Sequence, residues 1–150
     1  MTAVGTNGWV WIADDFGHEH TLRRPRFHVM HVYKPDDTDA WCLHLEYEIV
    51  RGVVQTIHLY YKTKERANTA HNEFSFHFKV VVTFVDQTEQ SLTLNPAFIT
   101  RFEKTKFEVH PDFITLAVCY ECNGMERTIN LYYTDLNSLR SVVGDIALKY

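Results

Sequence analysis

From Trp41 to Ile49 the apolar residues fall on every second position. Trp41, Leu43, Leu45, Tyr47 and Ile49 share one side, and Cys42, His44, Glu46 and Glu48 share the other. A period of two belongs to a strand, whose successive side chains leave opposite faces, and no helix reproduces it. The return strand starts at Val53. A three-residue loop, Val50-Arg51-Gly52, with Gly52 in the left-handed region, sets Leu45 opposite Ile57, Leu43 opposite Leu59 and His44 opposite His58. A two-residue loop would set Leu45 against His58 and break the apolar face, so the three-residue register is expected.

A second hairpin follows the same rule. Ile114, Leu116, Val118, Tyr120 and Cys122 alternate up to Asn123-Gly124, the dipeptide best suited to a tight type I′ turn. Met125, Ile129, Leu131 and Tyr133 return on the apolar face. Arg127 is the one polar residue among them, with a stem that can pack while its head escapes.

The two hairpins resemble each other. Leu43-x-Leu45-x-Tyr47-Glu48 matches Leu116-x-Val118-x-Tyr120-Glu121, and Thr56-Ile57-x-Leu59-Tyr60-Tyr61 matches Thr128-Ile129-x-Leu131-Tyr132-Tyr133. Upstream, Asp14 corresponds to Asp86, Thr21-Leu22 to Thr93-Leu94, and Pro25-x-Phe27 to Pro96-x-Phe98. Apolar alternation alone would not repeat Pro, Asp and Thr in the same order. The expectation is one β-rich domain over residues 1–150, built from two copies of a unit at roughly 9–63 and 81–135.

Each copy reads as five strands. They fall near 9–13, 18–22, 27–33, 41–49 and 53–62, then near 76–85, 90–94, 98–109, 114–122 and 125–133. The polar stretch 62–72 between the copies reads as a loop or one helical turn. At the end, Leu136, Leu139, Val142, Val143, Ile146 and Ala147 follow helical spacing behind a capping Thr134 or Asp135. The fold class expected is all-β. About ten mostly antiparallel strands form a sandwich or a barrel, with a C-terminal amphipathic α-helix over 136–150.

Composition narrows the function classes. A net charge of -4 and a pI near 6.1 provide no basic field for nucleic acid, and Arg23-Arg24-Pro25-Arg26 is the only basic cluster. No run of about 18 apolar residues is present, so no membrane-spanning helix is expected. The start lacks the charged and apolar regions of a signal peptide, and three cysteines make no disulfide framework. A cytoplasmic or otherwise intracellular setting follows as the expectation.

The chemistry-bearing residues are few. With His44 opposite His58, and Cys42 and Glu46 flanking His44 on the same face, two imidazoles and a thiolate or carboxylate come within the reach of one zinc ion. The second copy has Ala117 and Asn130 at the histidine positions, so the unit folds without them, and no structural metal or cofactor is expected. If other parts of the chain cover this face, the histidines need partners and their protonation couples to stability. His18-Glu19-His20 has no evident third ligand, and His28 and His31 have opposite parity. Cys119-x-x-Cys122 lies in a strand, where residues three apart face opposite sides, so it is no redox pair. Asp36-Asp37-Thr38-Asp39 lacks the rest of a calcium loop and reads as a solvated turn. No glycine-rich phosphate loop, nucleophile elbow or His-Glu-x-x-His occurs.

The function expected from this is a non-enzymatic protein- or peptide-binding module on a β scaffold, with another protein or peptide as partner. A carrier of a small apolar ligand inside a barrel is the alternative. A metal-dependent enzyme using His44 and His58 is the second alternative.

Overall fold

The computed structural model describes residues 2–4, 8–75, 82–106 and 112–149. Among them the chain is mostly β, arranged in three antiparallel sheets with two α-helices. The strands are β1 (Thr2–Val4), β2 (Trp9–Ala13), β3 (Glu19–Arg23), β4 (Arg26–Tyr33), β5 (Trp41–Glu48), β6 (Val54–Tyr61), β7 (Val82–Val85), β8 (Ser91–Leu94), β9 (Ile99–Lys106), β10 (Ile114–Cys122) and β11 (Met125–Tyr133). Helix α1 (Lys64–Ser75) follows β6, and α2 (Leu136–Lys149) follows β11. The sheets run β1-β2-β3, β6-β5-β4-β8-β7 and β11-β10-β9.

Both hairpins take the expected registers. His44 pairs with His58 and Leu45 with Ile57, closed by Gly52 at φ 84°. Cys122 pairs with Met125 across Asn123 and Gly124, both at positive φ (54° and 77°), as a type I′ turn requires.

Two expectations need correction. Residues 62–72 are not a loop: Lys64–Ser75 is a twelve-residue helix. Thr63 caps it, its Oγ1 accepting from the Arg66 N–H at 3.2 Å. Ala67, Ala70, His71 and Phe74, at helical spacing, are its buried face. Phe74 therefore belongs to this helix, although in the sequence it alternates with Phe76, Phe78, Val80, Val82 and Phe84, a run that predicts a long strand opening the second copy. Of that strand at 76–85, only Val82–Val85 lies within the described residues, and of the one at 98–109 only Ile99–Lys106.

The central five-stranded sheet works on both faces. One side gives Met30, Val32, Leu43, Leu45, Ile57 and Leu59 to a core shared with Val10, Ile12 and Leu22 of the β2–β3 hairpin and with α1. The other gives Val29, Leu92 and Leu94 to a second core, shared with Leu116, Val118 and Leu131 of the β9–β11 sheet and with Leu139 of α2. Leu139 is 4% exposed, and Asp135 caps its helix by accepting from the Ser138 N–H at 2.7 Å. Leu139→Ala is expected to cost about 2–4 kcal/mol, read as a shifted urea midpoint with an unchanged slope.

Local geometry recurs 72 positions along the chain. Asp14 Oδ1 accepts from the N–H groups of Phe16 and His18, and Asp86 Oδ1 from those of Thr88 and Gln90, all at 2.9 Å. The second oxygen of each reaches across to the last strand of its half, accepting at 3.0 Å from the Tyr60 N–H and the Tyr132 N–H respectively. The register of β4 against β5 slips between Phe27 and Val29, and that of β9 against β10 between Ile99 and Arg101. A bulge thus falls at His28 and again at Thr100.

Candidate functional site

The polar face of β5 was open to two readings, solvated or covered, and it is covered. Cys42 and Glu46 are fully buried, and β10 and β11 reach across to Glu46. Tyr120 donates its hydroxyl to Glu46 Oε2 at 2.5 Å, and Arg127 places Nη1 3.3 Å from Oε1. His44 Nε2 lies 3.0 Å from Oε2, and His44 Nδ1 lies 2.9 Å from His58 Nε2.

The charge on Glu46 orients this chain of groups. An ionised carboxylate only accepts, so His44 donates to it through Nε2–H; when the His44 ring is neutral, its Nδ1 accepts and His58 donates through Nε2–H. Burial by itself raises the Glu46 pKa. The bonds from His44, Tyr120 and Cys122 outweigh it and hold the carboxyl at about 2. Tyr120 is pushed strongly upward by burial and by its bond to Glu46. Burial and the neighbouring His44 hold His58 below its ordinary value.

The candidates from the sequence are therefore partly assembled. His44, His58 and Glu46 form one hydrogen-bonded line across β5 and β6. Cys42 stands apart, its thiol against Tyr33 and Tyr60 and pushed by burial up to about 11. Both ring nitrogens of His44 are engaged with protein groups, so neither offers a free lone pair to a metal. Among the described residues no group of three or more His, Cys, Asp or Glu side chains is placed to hold a metal ion. Cys119 and Cys122 turn to opposite faces, Cys119 toward Thr128 and Cys122 into the second core, and all three thiols are free and buried.

Among the described residues, His18, His28 and His31 also have protein partners. His18 Nδ1 pairs with Asp14 at 2.7 Å. His28 Nε2 lies 2.9 Å from Glu48, and its ring stacks on Phe98 with centroids 4.5 Å apart. His31 Nε2 meets Gln90 Oε1 at 2.8 Å, and burial lowers its pKa to about 4. No helix among the described residues is long and apolar enough to cross a membrane.

Above this line of groups, a cleft of about 1000 Å³ opens between the central sheet and the β9–β11 sheet. Tyr33, Trp41, Tyr120 and Tyr132 give its walls aromatic surface, and Gln90 and Arg127 supply polar groups. Sequence reasoning missed Tyr120, Arg127 and Gln90 as members of one site, because they come from strands and turns far apart in the chain. The one available signal was Arg127 itself, a charge on an otherwise apolar strand face, whose head stays half exposed while Nη1 reaches the buried Glu46.

Comparison of the chain with family models, with curated proteins and with solved structures returns no match.

Proposed function

We propose that the chain is a non-enzymatic binding module that takes an extended segment of another protein in the cleft between the two sheets. The observation that carries this reading is the makeup of the cleft wall. Aromatic faces on Tyr33, Trp41 and Tyr132 stand beside hydrogen-bonding groups on Gln90 and Arg127. Tyrosine, tryptophan and arginine are the side chains that dominate binding energy at protein interfaces. The state of Glu46 supports binding over catalysis. A carboxylate held near 2 and already accepting from His44, Tyr120 and Arg127 is a weak base with little left to offer a substrate. The two apolar cores are built from the chain's own buried side chains, which favours a binding module over a carrier of an apolar ligand.

We also infer that the fold is a duplicated unit of stacked sheets, in which each copy ends in its helix. The recurrence of the Asp14 and Asp86 bonds, of the two bulges, and of a capped helix after β6 and after β11 supports this. The repeat then extends past the boundaries read from sequence, because α1 and α2 occupy corresponding places.

The test of the cleft is selection of peptides from a random library on the full chain, followed by titration. Selected peptides are expected to compete with one another and to bind about tenfold more weakly to Tyr33→Ala. An exposed change on α1, Glu65→Ala, should leave them unaffected. Failure to select any peptide, or affinities indifferent to Tyr33, would remove this reading.

A further inference from the structure

Strands β3 and β8 hold corresponding places 72 positions apart, and so do β4 and β9. One of the two possible cross-pairings is made within the chain. Strand β8 lies antiparallel to β4, with Val29 opposite Leu94, Met30 opposite Thr93, His31 opposite Leu92 and Val32 opposite Ser91. The other two members, β3 and β9, each end their sheet among the described residues. Both carry exposed side chains: Glu19, Thr21 and Arg23 on β3, and Arg101, Glu103 and Lys104 on β9.

These two edges do not meet within one molecule. The β2–β3 hairpin packs on one face of the central sheet, through Val10 and Leu22, and the β9–β11 sheet packs on its opposite face. We propose that the partner of the β3 edge is β9 of a second copy of this chain. The β4–β8 joint is the template for its register. Shifted by the same 72 positions, it sets Leu22 opposite Arg101, Thr21 opposite Phe102, His20 opposite Glu103 and Glu19 opposite Lys104. Glu19 and Lys104 carry opposite charges, and His20 meets a carboxylate, so two of the four pairs are complementary. Backbone groups along both edges that are unpaired among the described residues supply the ladder.

The geometry of the association follows. Because β3 of one copy takes β9 of the next, each added copy uses one of its edges and presents the other on the opposite face of its central sheet. The contact is heterologous and grows head to tail instead of closing as a two-fold dimer. It is also weak. Arg101 stands where the internal joint has the buried Val29, so the pairing adds backbone bonds and charge pairs without the apolar backing that Val29 provides.

The test is sedimentation velocity of the full chain over a wide concentration range. The expected result is a mean mass that rises with concentration past that of a dimer. Lys104→Glu and Glu19→Lys should each weaken association about fivefold by opposing like charges. The double variant Glu19→Lys/Lys104→Glu should restore it, because the pair is then reversed and intact. Both positions are exposed, so thermal melts should agree among all variants. A monomer at every concentration, a mass that stops at the dimer, or association indifferent to Lys104→Glu would each overturn the proposal. None of these outcomes depends on what the cleft binds.

Discussion

Glu46→Ala is expected to destabilise the protein by about 3–5 kcal/mol, more than any other single polar change. The carboxylate is fully buried and joins the two sheets: His44 comes from its own strand, while Tyr120 and Arg127 come from β10 and β11. Removing it leaves a buried hydroxyl without its acceptor and a guanidinium facing the gap. Tyr120→Phe removes one donor and leaves the charge solvated by the others, so its cost should be smaller, about 1–3 kcal/mol. Urea melts of the two variants separate the cases, and near-equal losses would show that the carboxylate is not the hub.

The same group sets the acid limit. The folded pKa of Glu46 is depressed to about 2, below its ordinary 4.5. Its contribution is therefore present above pH 4.5 and lost as the pH falls through about 2, on the order of 3 kcal/mol in all. His31 acts at a higher pH. Held neutral by burial with a pKa of about 4 against an ordinary 6.5, it makes stability fall as the pH drops from 6.5 toward 4, because only the unfolded chain takes up the proton there. Two successive declines in urea midpoint are expected on acidification, with His31→Gln reducing the first, to which His28, His58 and His71 also contribute because burial holds them below their ordinary values.

Phe74→Ala is expected to cost about 3–5 kcal/mol. The ring is 1% exposed and packs against Phe27, centroids 5.3 Å apart, where α1 crosses the central sheet. If α1 were only a connector, the change would cost little. A calorimetric melt that moves by less than the loss for Leu139→Ala would show the first core closed without this helix.

Phe74 also shows what the sequence could and could not disclose. The hairpins were legible because their alternation, loop lengths and turn residues are local and agree with one another. Helix α2 was legible because Leu139, Val142 and Val143 are large and apolar at helical spacing. Helix α1 presents Ala67, Ala70 and His71 instead. So small and polar a stripe reads as a linker until a sheet lies beneath it. Phe74 was then absorbed into the alternation of the phenylalanines that follow. His44 and His58 could be set side by side from register alone. That Glu46 lies buried beneath Tyr120 depends on how one sheet stacks on another, and no local pattern carries that information.

The thiols give the stacking an operational meaning. Cys42 lies in the central sheet, and Cys119 and Cys122 lie in the sheet packed against it. All three are buried, and burial pushes Cys42 and Cys122 up to about 11. A soluble alkylating reagent therefore meets no accessible sulfur in the closed molecule. Its reaction waits for the sheets to part, so the pace of modification at each position is a clock for local opening. With one such clock in the central layer and two in its neighbour, the order in which they run reports whether the layers separate before either comes apart.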